Sequence, residues 1–343
     1  MSEVALPPES SARPRVAVIV PAYGVAHLVG EALASVQAQT LQDWECVVID
    51  DGAPDDVAGA VAPFLSDPRI RFLATGNQGV GGARNTAIAA CTAPLLVLLD
   101  GDDRLRPEYL AHTVAMLEGD PAVSIATVNA LIFGAVPKER LCFEGKQGRT
   151  DGRHGTLAEV LDRSFGIYIG STFRREDWTA VGGFDPSFTH CEDFDFWTRV
   201  MQLGRKAGYI DMVLGEYRVR PNSASASREK MLRGNLRVYE KAHAALPADA
   251  PEQPLVAELI ALTQRAIDFE HAVDRVIDGD TAGGLAALRQ VKAEVSGKVW
   301  KLSFALWNVL PALARPMLHW RRRAHSRGGS EGGLRDLLQS VRP

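Results

Sequence analysis

In LLVLLDGDD, Leu95 to Asp103, five apolar residues run without a break into three carboxylates, Asp100, Asp102 and Asp103. An apolar run of that length, bounded by Pro94 and by charge, is the pattern of a strand covered on both faces, as in a parallel sheet. In open α/β sheets the ligand crevice lies just past the carboxyl ends of the strands, which is where these aspartates fall. Crowded carboxylates repel one another unless a cation or a set of donors offsets the charge, and hard divalent cations take oxygen ligands. One reading is therefore a metal-assisted site. The other is an acidic strand-to-helix turn in which Asp102 or Asp103 caps the helix that begins near Pro107. On this stretch alone both readings stand.

Working outward, the same alternation repeats. VAVIV (Val16 to Val20) is a buried strand ending at Pro21, and His27 to Gln39 follows with Leu28, Ala32, Leu33 and Val36 at helical spacing. ECVVID (Glu45 to Asp50) is a second strand that stops at Asp50 and Asp51 before Gly52. A helix begins at Asp55, IRFLAT (Ile70 to Thr75) is a third strand, and Val80 to Ala90 is a third helix. After Leu95 to Leu99 comes a helix from about Pro107 to Glu118. Such strand-then-helix repeats predict an α/β fold built on a doubly wound, mostly parallel sheet.

Past Val123 the pattern loosens. SIATVNALIF is strand-like, and Glu139 to Gly155 is a Gly- and charge-rich loop of the kind that shapes a site. VGGFDPSF (Val181 to Phe188) is turn-rich and delivers Glu192 and Asp193 to the head of a helix, EDFDFWTRVMQLG, in which Phe196, Val200 and Leu203 keep helical spacing. Carboxylates there also complement the helix dipole, which is a purely structural role. YRVRPNSAS (Tyr217 to Ser225) reads as a loop that holds Arg218 and Arg220 close together.

From Arg228 no strand pattern remains. Leu255, Leu259, Leu262, Ala266, Phe269, Val273 and Val276 mark a helical appendage. The expected division is a disordered lead-in at 1–14, an α/β domain at 15–227, a helical region at 228–323 and a flexible tail at 324–343. The last helix candidate, 299–320, carries Trp300, Phe304, Trp307, Leu310, Met317 and Trp320 beside Lys298, Lys301 and Arg321 to Arg323. Apolar residues next to cations are what an interfacial helix presents to an anionic membrane surface, whereas Pro311, Arg315 and Pro316 argue against a span. The other reading packs this segment on the body.

A chain of 343 residues with 46% hydrophobic and 23% charged residues has room for one large globular domain and a smaller appendage. Its formal net charge of -4 speaks against a nucleic-acid partner. Cys46, Cys91, Cys142 and Cys191 are far apart in sequence and read as reduced, structural thiols. The start, MSEVALPPESSARPR, lacks the basic and apolar regions of a secretory signal, and no apolar 18-mer occurs. The expected location is cytoplasmic, with 299–320 giving a peripheral place on the inner face of the membrane.

The chemistry follows from three acidic clusters, Asp50/Asp51, Asp100/Asp102/Asp103 and Glu192/Asp193, each at a strand end or helix start. Strand ends share one edge of such a sheet, so all three can converge on one crevice. A carboxylate-lined crevice accepts a phosphorylated ligand only if a divalent cation and groups such as Arg84, Arg218 or Arg220 offset the charge. A metal-diphosphate is the economical ligand, with one carboxylate left as general base. GNQGVGGARN (Gly76 to Asn85) lacks the GxGxxG spacing of a dinucleotide fingerprint and does not follow the first strand.

Taken in order, VAVIVPAYG, SVQAQT, DWECVVIDDGAPDD, NQGVGGARNTAI, LLVLLDGDD, GGFDPSF and CEDFDFWTRV resemble the successive motifs of family 2 glycosyltransferases, inverting enzymes of the A-type nucleotide-sugar fold. The resemblance covers roughly Arg15 to Ser227. It implies that Pro21, Ala22, Tyr23 and Asp50 or Asp51 contact the base and ribose, with Arg84 nearby. It implies that Asp100 and Asp102 form the DxD pair, with Asp102 the ligand of Mn or Mg on the donor diphosphate and Asp100 facing the ribose or the metal's outer shell. Asp103 would keep the capping role. Asp193 would be the catalytic base and Glu192 its support, in a single in-line displacement that inverts the anomeric carbon. The implied partners are a nucleotide-sugar donor, UDP-linked, and a glycan or lipid-linked acceptor in the synthesis of cell-surface polysaccharide.

Two positions depart from that family's pattern. Gly24 stands where the family usually has Asn after Tyr, which removes a polar side chain near the nucleotide. Arg220 stands where many relatives carry a His, and an Arg cannot ligate a cation. The metal is then expected to have one protein ligand fewer, or Arg220 to replace it in part on the diphosphate. The competing functions are a catalytically degenerate nucleotide-sugar-binding protein, a sugar-1-phosphate nucleotidyltransferase and a phospho-receiver domain. PAYGVAHL lacks the Gly-rich, basic phosphate loop of the second, and receivers have no counterpart of Glu192 and Asp193.

Overall fold

The computed structural model describes residues 13–143, 154–220, 227–291 and 298–327. The chain runs β1 (Val16–Ala22), α1 (Val29–Gln37), β2 (Trp44–Asp50), α2 (Val57–Val61), β3 (Ile70–Ala74), α3 (Gly79–Ala89), β4 (Leu95–Leu98), a two-residue β5 (Arg104–Leu105) and α4 (Tyr109–Gly119). There follow β6 (Val123–Gly134), β7 (Arg140–Leu141), α5 (Leu157–Leu161), β8 (Thr172–Arg174), α6 (Arg175–Ala180), α7 (Glu192–Gln202) and β9 (Lys206–Val219). The rest is helical: α8 (Arg228–Ala245), α9 (Gln253–Asp278), α10 (Thr281–Gln290), α11 (Lys298–Val309) and α12 (Ala314–Arg327).

Among the described residues the strands form one sheet in the order β3-β2-β1-β4-β8-β6-β9-β5, with β7 beside β6. The first four are parallel, β8 runs antiparallel to both β4 and β6, and β9 runs parallel to β6, so the far half of the sheet is mixed. Successive strand residues point to opposite faces, and here both faces are covered. Ala17, Ile19, Val47, Leu96 and Leu98 join α3, α7, α8 and α9 in one core. Val16, Val18, Val20, Val48, Leu95 and Val97 join α1, α2 and α4 in the other. That two-sided burial is why these strands read as unbroken apolar runs.

Three expectations need correction. YRVRPNSAS does not begin as a loop: Tyr217 to Val219 are the end of β9, a strand of 14 residues paired with β6 through several register shifts. Its residues alternate irregularly between buried and exposed, so no period-2 signal announced it. Residues 221–225 of that stretch, and 144–153 of the expected Glu139–Gly155 loop, lie outside the described residues, as do 1–12 of the lead-in and 328–343 of the tail. The segment 299–320 is two helices, not one, because Pro311 cannot donate a helical hydrogen bond and the chain makes a 3-10 turn at Pro311–Leu313. The start of the expected tail is helical too, since α12 continues to Arg327.

The helical region is continuous with the α/β core. Val256, Leu259, Leu262, Ala266 and Ile267 of α9 pack on the sheet side, and Phe269, Val273 and Val276 of the same helix form a third core with α10, α11 and α12. Phe304, Trp307 and Leu318 are buried in that third core, with Trp300 and Met317 packed against it. The aromatic residues expected to face lipid therefore mostly face protein. Their helical spacing marks an apolar stripe, and a stripe cannot say what covers it. No described helix is long and apolar enough to cross a membrane.

Candidate active site

The carboxyl ends of β2, β1 and β4 lie side by side, with Ala22 opposite Asp50 and Ile19 opposite Leu98. The loop after β1 therefore sits between the Asp50/Asp51 pair and the Asp100 to Asp103 turn. Pro21 and Ala22 are buried in the strand, whereas Tyr23 is 52% exposed and available to a ligand. Gly24 follows at φ 67°, in the left-handed region that side chains other than Asn and Asp rarely adopt. An Asn can adopt this backbone as well, so the departure at Gly24 lies in the missing side chain. Asp55 holds this loop, accepting from the Gly24 amide at 3.1 Å and the Ala26 amide at 2.7 Å. The sequence reading placed Asp55 only as a helix start.

The two acids after β2 differ. Asp51 is buried and accepts from the Gln78 amide at 2.7 Å, which ties β2 to the entry of α3. Asp50 is half-buried and one of its oxygens accepts from the Ala53 amide at 2.7 Å. Of the pair, Asp50 has the exposure a ligand contact requires.

Arg84 is the centre of the site. It is 1% exposed, and its two terminal nitrogens reach Glu192 Oε1 at 2.7 Å and Asp100 Oδ1 at 2.7 Å. Burial works against its charge, but the two carboxylates hold its pKa above the ordinary arginine value. Burial likewise pushes the Glu192 carboxyl up, against the pull of Arg84. Arg84 therefore joins two of the three acidic clusters and is itself sealed from ligand.

Asp193, the next residue on α7, is half-buried, and its carboxylate makes no hydrogen bond or ion pair among the described residues. Its helix is aimed by neighbours that sequence reasoning missed. Asn85, next to Arg84 on α3, grips the Gly-Gly-Phe turn through the Phe184 carbonyl at 2.7 Å and the Phe184 amide at 2.8 Å. Cys191, immediately before α7, is held at φ 63°, and its Sγ packs where a Cβ on Gly234 of α8 would come within 2.8 Å. Lys241 of α8 binds Asp195 of α7 at 2.8 Å and Asp185 of the turn at 2.8 Å.

At the Asp100 turn, Gly101 is close against the first loop: a Cβ there would meet Val25 Cγ2 at 2.9 Å and the Pro21 carbonyl at 3.1 Å. Asp103 does not cap a helix. It is buried and accepts from the Arg218 amide at 2.7 Å, pinning the end of β9, while the first position before α4 is Glu108. Arg218 binds the Asp102 carbonyl through Nε at 2.8 Å and Glu31 of α1 at 2.6 Å, so its side chain braces the turn. Arg220 Nε lies 2.5 Å from Asp102 Oδ2, and its Nη1 donates to the Gly24 carbonyl at 3.4 Å. Burial and the neighbouring Asp100 raise the Asp102 pKa, and Arg220 pulls it down.

Arginine therefore holds one oxygen of Asp100 and one of Asp102. The second oxygen of each carboxylate is what the pair can offer a cation. Among the described residues no group of three or more His, Cys, Asp and Glu is arranged to cage a metal. Two oxygen donors are too few for a protein-only site, but they suit a Mg- or Mn-like ion that keeps waters and takes substrate phosphates as further ligands. The residues fit the ion on that condition.

Residues 17–177 match the family model described as Glycosyl transferase family 2, which bears out the resemblance read from the motifs. The match takes in Pro21 to Asp102 and stops before Glu192, Asp193, Arg218 and Arg220. The chain is 27% identical over 228 residues to UDP-Glc:alpha-D-GlcNAc-diphosphoundecaprenol beta-1,3-glucosyltransferase WfgD of Escherichia coli, across 64% of this chain and 82% of that one. It is 26% identical over 192 residues to chondroitin synthase of Escherichia coli, across 56% of this chain and 27% of that synthase's length. In fold it resembles S. aureus TarS 1–349, with a TM-score of 0.60 at 15% identity over 91% of this chain and 88% of that one. It also resembles the mannosyltransferase PcManGT of Pyrobaculum calidifontis, solved with GDP-Man and Mn2+, with a TM-score of 0.61 at 22% identity over 92% of this chain and 86% of that one. The architecture is that of the A-type glycosyltransferases.

Proposed function

From a family 2 glycosyltransferase sequence at residues 17–177, we propose that this protein transfers a sugar from a nucleotide diphosphate, with inversion, to a hydroxyl of a glycan or lipid-linked acceptor. The observation that carries the reading is the division between the two acids of α7. Glu192 is buried and locked on Arg84, whereas Asp193 is half-buried and unpaired among the described residues. A base has to be reachable and free to take a proton. Asp193 meets that requirement and Glu192 does not.

Asp193 removes the proton of the acceptor hydroxyl. The freed oxygen attacks the anomeric carbon from the side opposite the diphosphate, and the bond to the diphosphate breaks with its electron pair leaving on the phosphate oxygen. Tyr23 and Asp50 face the nucleoside, Asp55 holds the loop that carries Tyr23, and Arg84 fixes Asp100 and Glu192 in register. A divalent cation, Mn or Mg, held through Asp102 and Asp100 would neutralise the charge that develops on the departing diphosphate. Arg220 supplies a second positive group at that point.

The match to WfgD, whose name specifies UDP-Glc and a diphosphoundecaprenol-linked acceptor, supports a UDP-sugar donor and a lipid-linked acceptor in polysaccharide synthesis. A peripheral membrane place fits that acceptor. Leu302, Leu306 and Val309 form an exposed stripe along α11 on the side away from Phe304 and Trp307, with Leu310, Leu313 and Trp320 exposed beyond it. Such a stripe, with the exposed Lys301 beside it, suits the headgroup region of an anionic bilayer on the cytoplasmic side. The test of the activity is turnover of a panel of UDP- and GDP-sugars with Mn2+. Release of UDP from at least one UDP-sugar is expected, and absence of both binding and turnover for every donor would overturn the reading.

A further inference from the structure

The two positions that depart from the family's pattern touch each other. Arg220 reaches from the end of β9 to Asp102 Oδ2 at 2.5 Å and to the Gly24 carbonyl at 3.4 Å. Its backbone is placed firmly: Val219 is the last residue of β9 in register with Gly134, and Asp103 holds the amide of Arg218. The side chain thus bridges the nucleotide-side loop and the acidic turn. It is also better covered than a surface pair, with side-chain exposures of 29% for Arg220 and 13% for Asp102.

We propose that Arg220 is a built-in counter-cation of Asp102 that keeps a divalent ion out until a diphosphate arrives. The inference rests on the donor-site reading above. Asp102 stands beside Asp100 and Asp103, and Arg84 is already committed to Asp100 and Glu192, so among the described residues Arg220 is the cation paired with Asp102. A metal ion on Asp102 would meet the guanidinium at close range, and two cations on one carboxylate repel. A diphosphate changes the balance. It adds negative charge and offers oxygens that match the guanidinium fork, so Arg220 can turn from Asp102 to phosphate and the carboxylate of Asp102 would then be open to an ion without a guanidinium beside it. Metal and nucleotide then bind with positive coupling, and by linkage each raises the affinity of the other equally. The same movement releases the Gly24 carbonyl, while Asp55 keeps its hold on the loop that carries Tyr23.

The test is Mn2+ binding by the full chain, read from the electron-spin resonance of free Mn2+, with and without UDP. Wild type is expected to take up Mn2+ weakly alone and at least about tenfold more tightly with UDP, within the usual range of coupling between sites. Arg220→Gln is expected to bind Mn2+ alone about tenfold more tightly than wild type and to lose most of the dependence on UDP. Arg220→Lys, which keeps the charge, should stay suppressed like wild type, and thermal melting verifies that each variant is folded. Equal Mn2+ affinity of wild type and Arg220→Gln without nucleotide overturns the proposal, as does Arg220→Lys behaving like Arg220→Gln. UDP binding in the presence of Mn2+ is measured in parallel: its absence in wild type counts against the donor site, whereas intact UDP binding with equal Mn2+ affinity of wild type and Arg220→Gln counts against the role of Arg220 alone.

Discussion

Arg84 and Glu192, 108 residues apart in sequence, are joined by a 2.7 Å ion pair in the interior of the protein, and the same guanidinium holds Asp100 at 2.7 Å. One buried cation thereby sets the distance between the turn after β4 and the head of α7. The mechanism depends on that spacing, since Asp102 and Asp193 are carried on those two segments.

Removing Arg84 leaves two acids in a site built around its charge. Arg84→Met is expected to destabilise the fold by about 3–5 kcal/mol, the usual cost of breaking a buried pair by deleting one partner. Urea unfolding of the variant against wild type measures it. A loss below about 1 kcal/mol would mean that the pair is not the brace inferred here.

Gly234 tests how α8 aims the catalytic helix. Alanine improves a helix interior by about 1 kcal/mol over glycine, yet a Cβ here would come within 2.8 Å of Cys191 Sγ and 3.0 Å of the His190 carbonyl. The clash should win. Gly234→Ala is expected to lower the transfer rate by about tenfold or more with little change in UDP affinity, because a displacement of about 1 Å at the base is enough. An unchanged rate would separate α8 from catalysis.

Asp67 gives the fold a local dependence on pH. A hydrogen bond from Arg69 draws the Asp67 carboxyl down from the ordinary 3.8 to about 2. Its folded pKa is depressed, so its stabilisation is present above the ordinary carboxylate range and is lost as pH falls through about 2. Asp67→Asn should cost up to about 1 kcal/mol at neutral pH, and the gap to wild type should close between about pH 4 and pH 2. A gap that persists at pH 2 would point to packing instead.

Replacing Leu302, Leu306 and Val309 together by Asp is expected to abolish sedimentation with anionic liposomes while leaving thermal stability unchanged, since all three are exposed. Wild type that does not sediment, or a variant that sediments equally, would remove the membrane from the account.

How much of this was legible depends on what each residue packs against. β1, β2 and β4 were readable because covered faces leave an unbroken apolar run, and their ends placed the acids. β9 was not readable, because its residues are half-exposed and its register with β6 shifts repeatedly. Arg84 could be picked out as a basic residue near the site, but its burial between Asp100 and Glu192 belongs to tertiary contacts that no local pattern encodes. Asp103 looked like a helix cap by position and serves instead to pin a distant strand. The aromatic residues of α11 were correctly read as one stripe, and the side that covers them was decided by α9.

The most direct test of the central claim is the single-turnover rate of sugar transfer by Asp193→Asn, measured beside its affinity for UDP. The rate is expected to fall by about 10²–10⁴-fold, the range for loss of a general base, with UDP affinity within about threefold of wild type, because the nucleoside contacts assigned to Tyr23 and Asp50 and the cation site assigned to Asp102 and Asp100 remain in place. Transfer at the wild-type rate by Asp193→Asn would contradict the account.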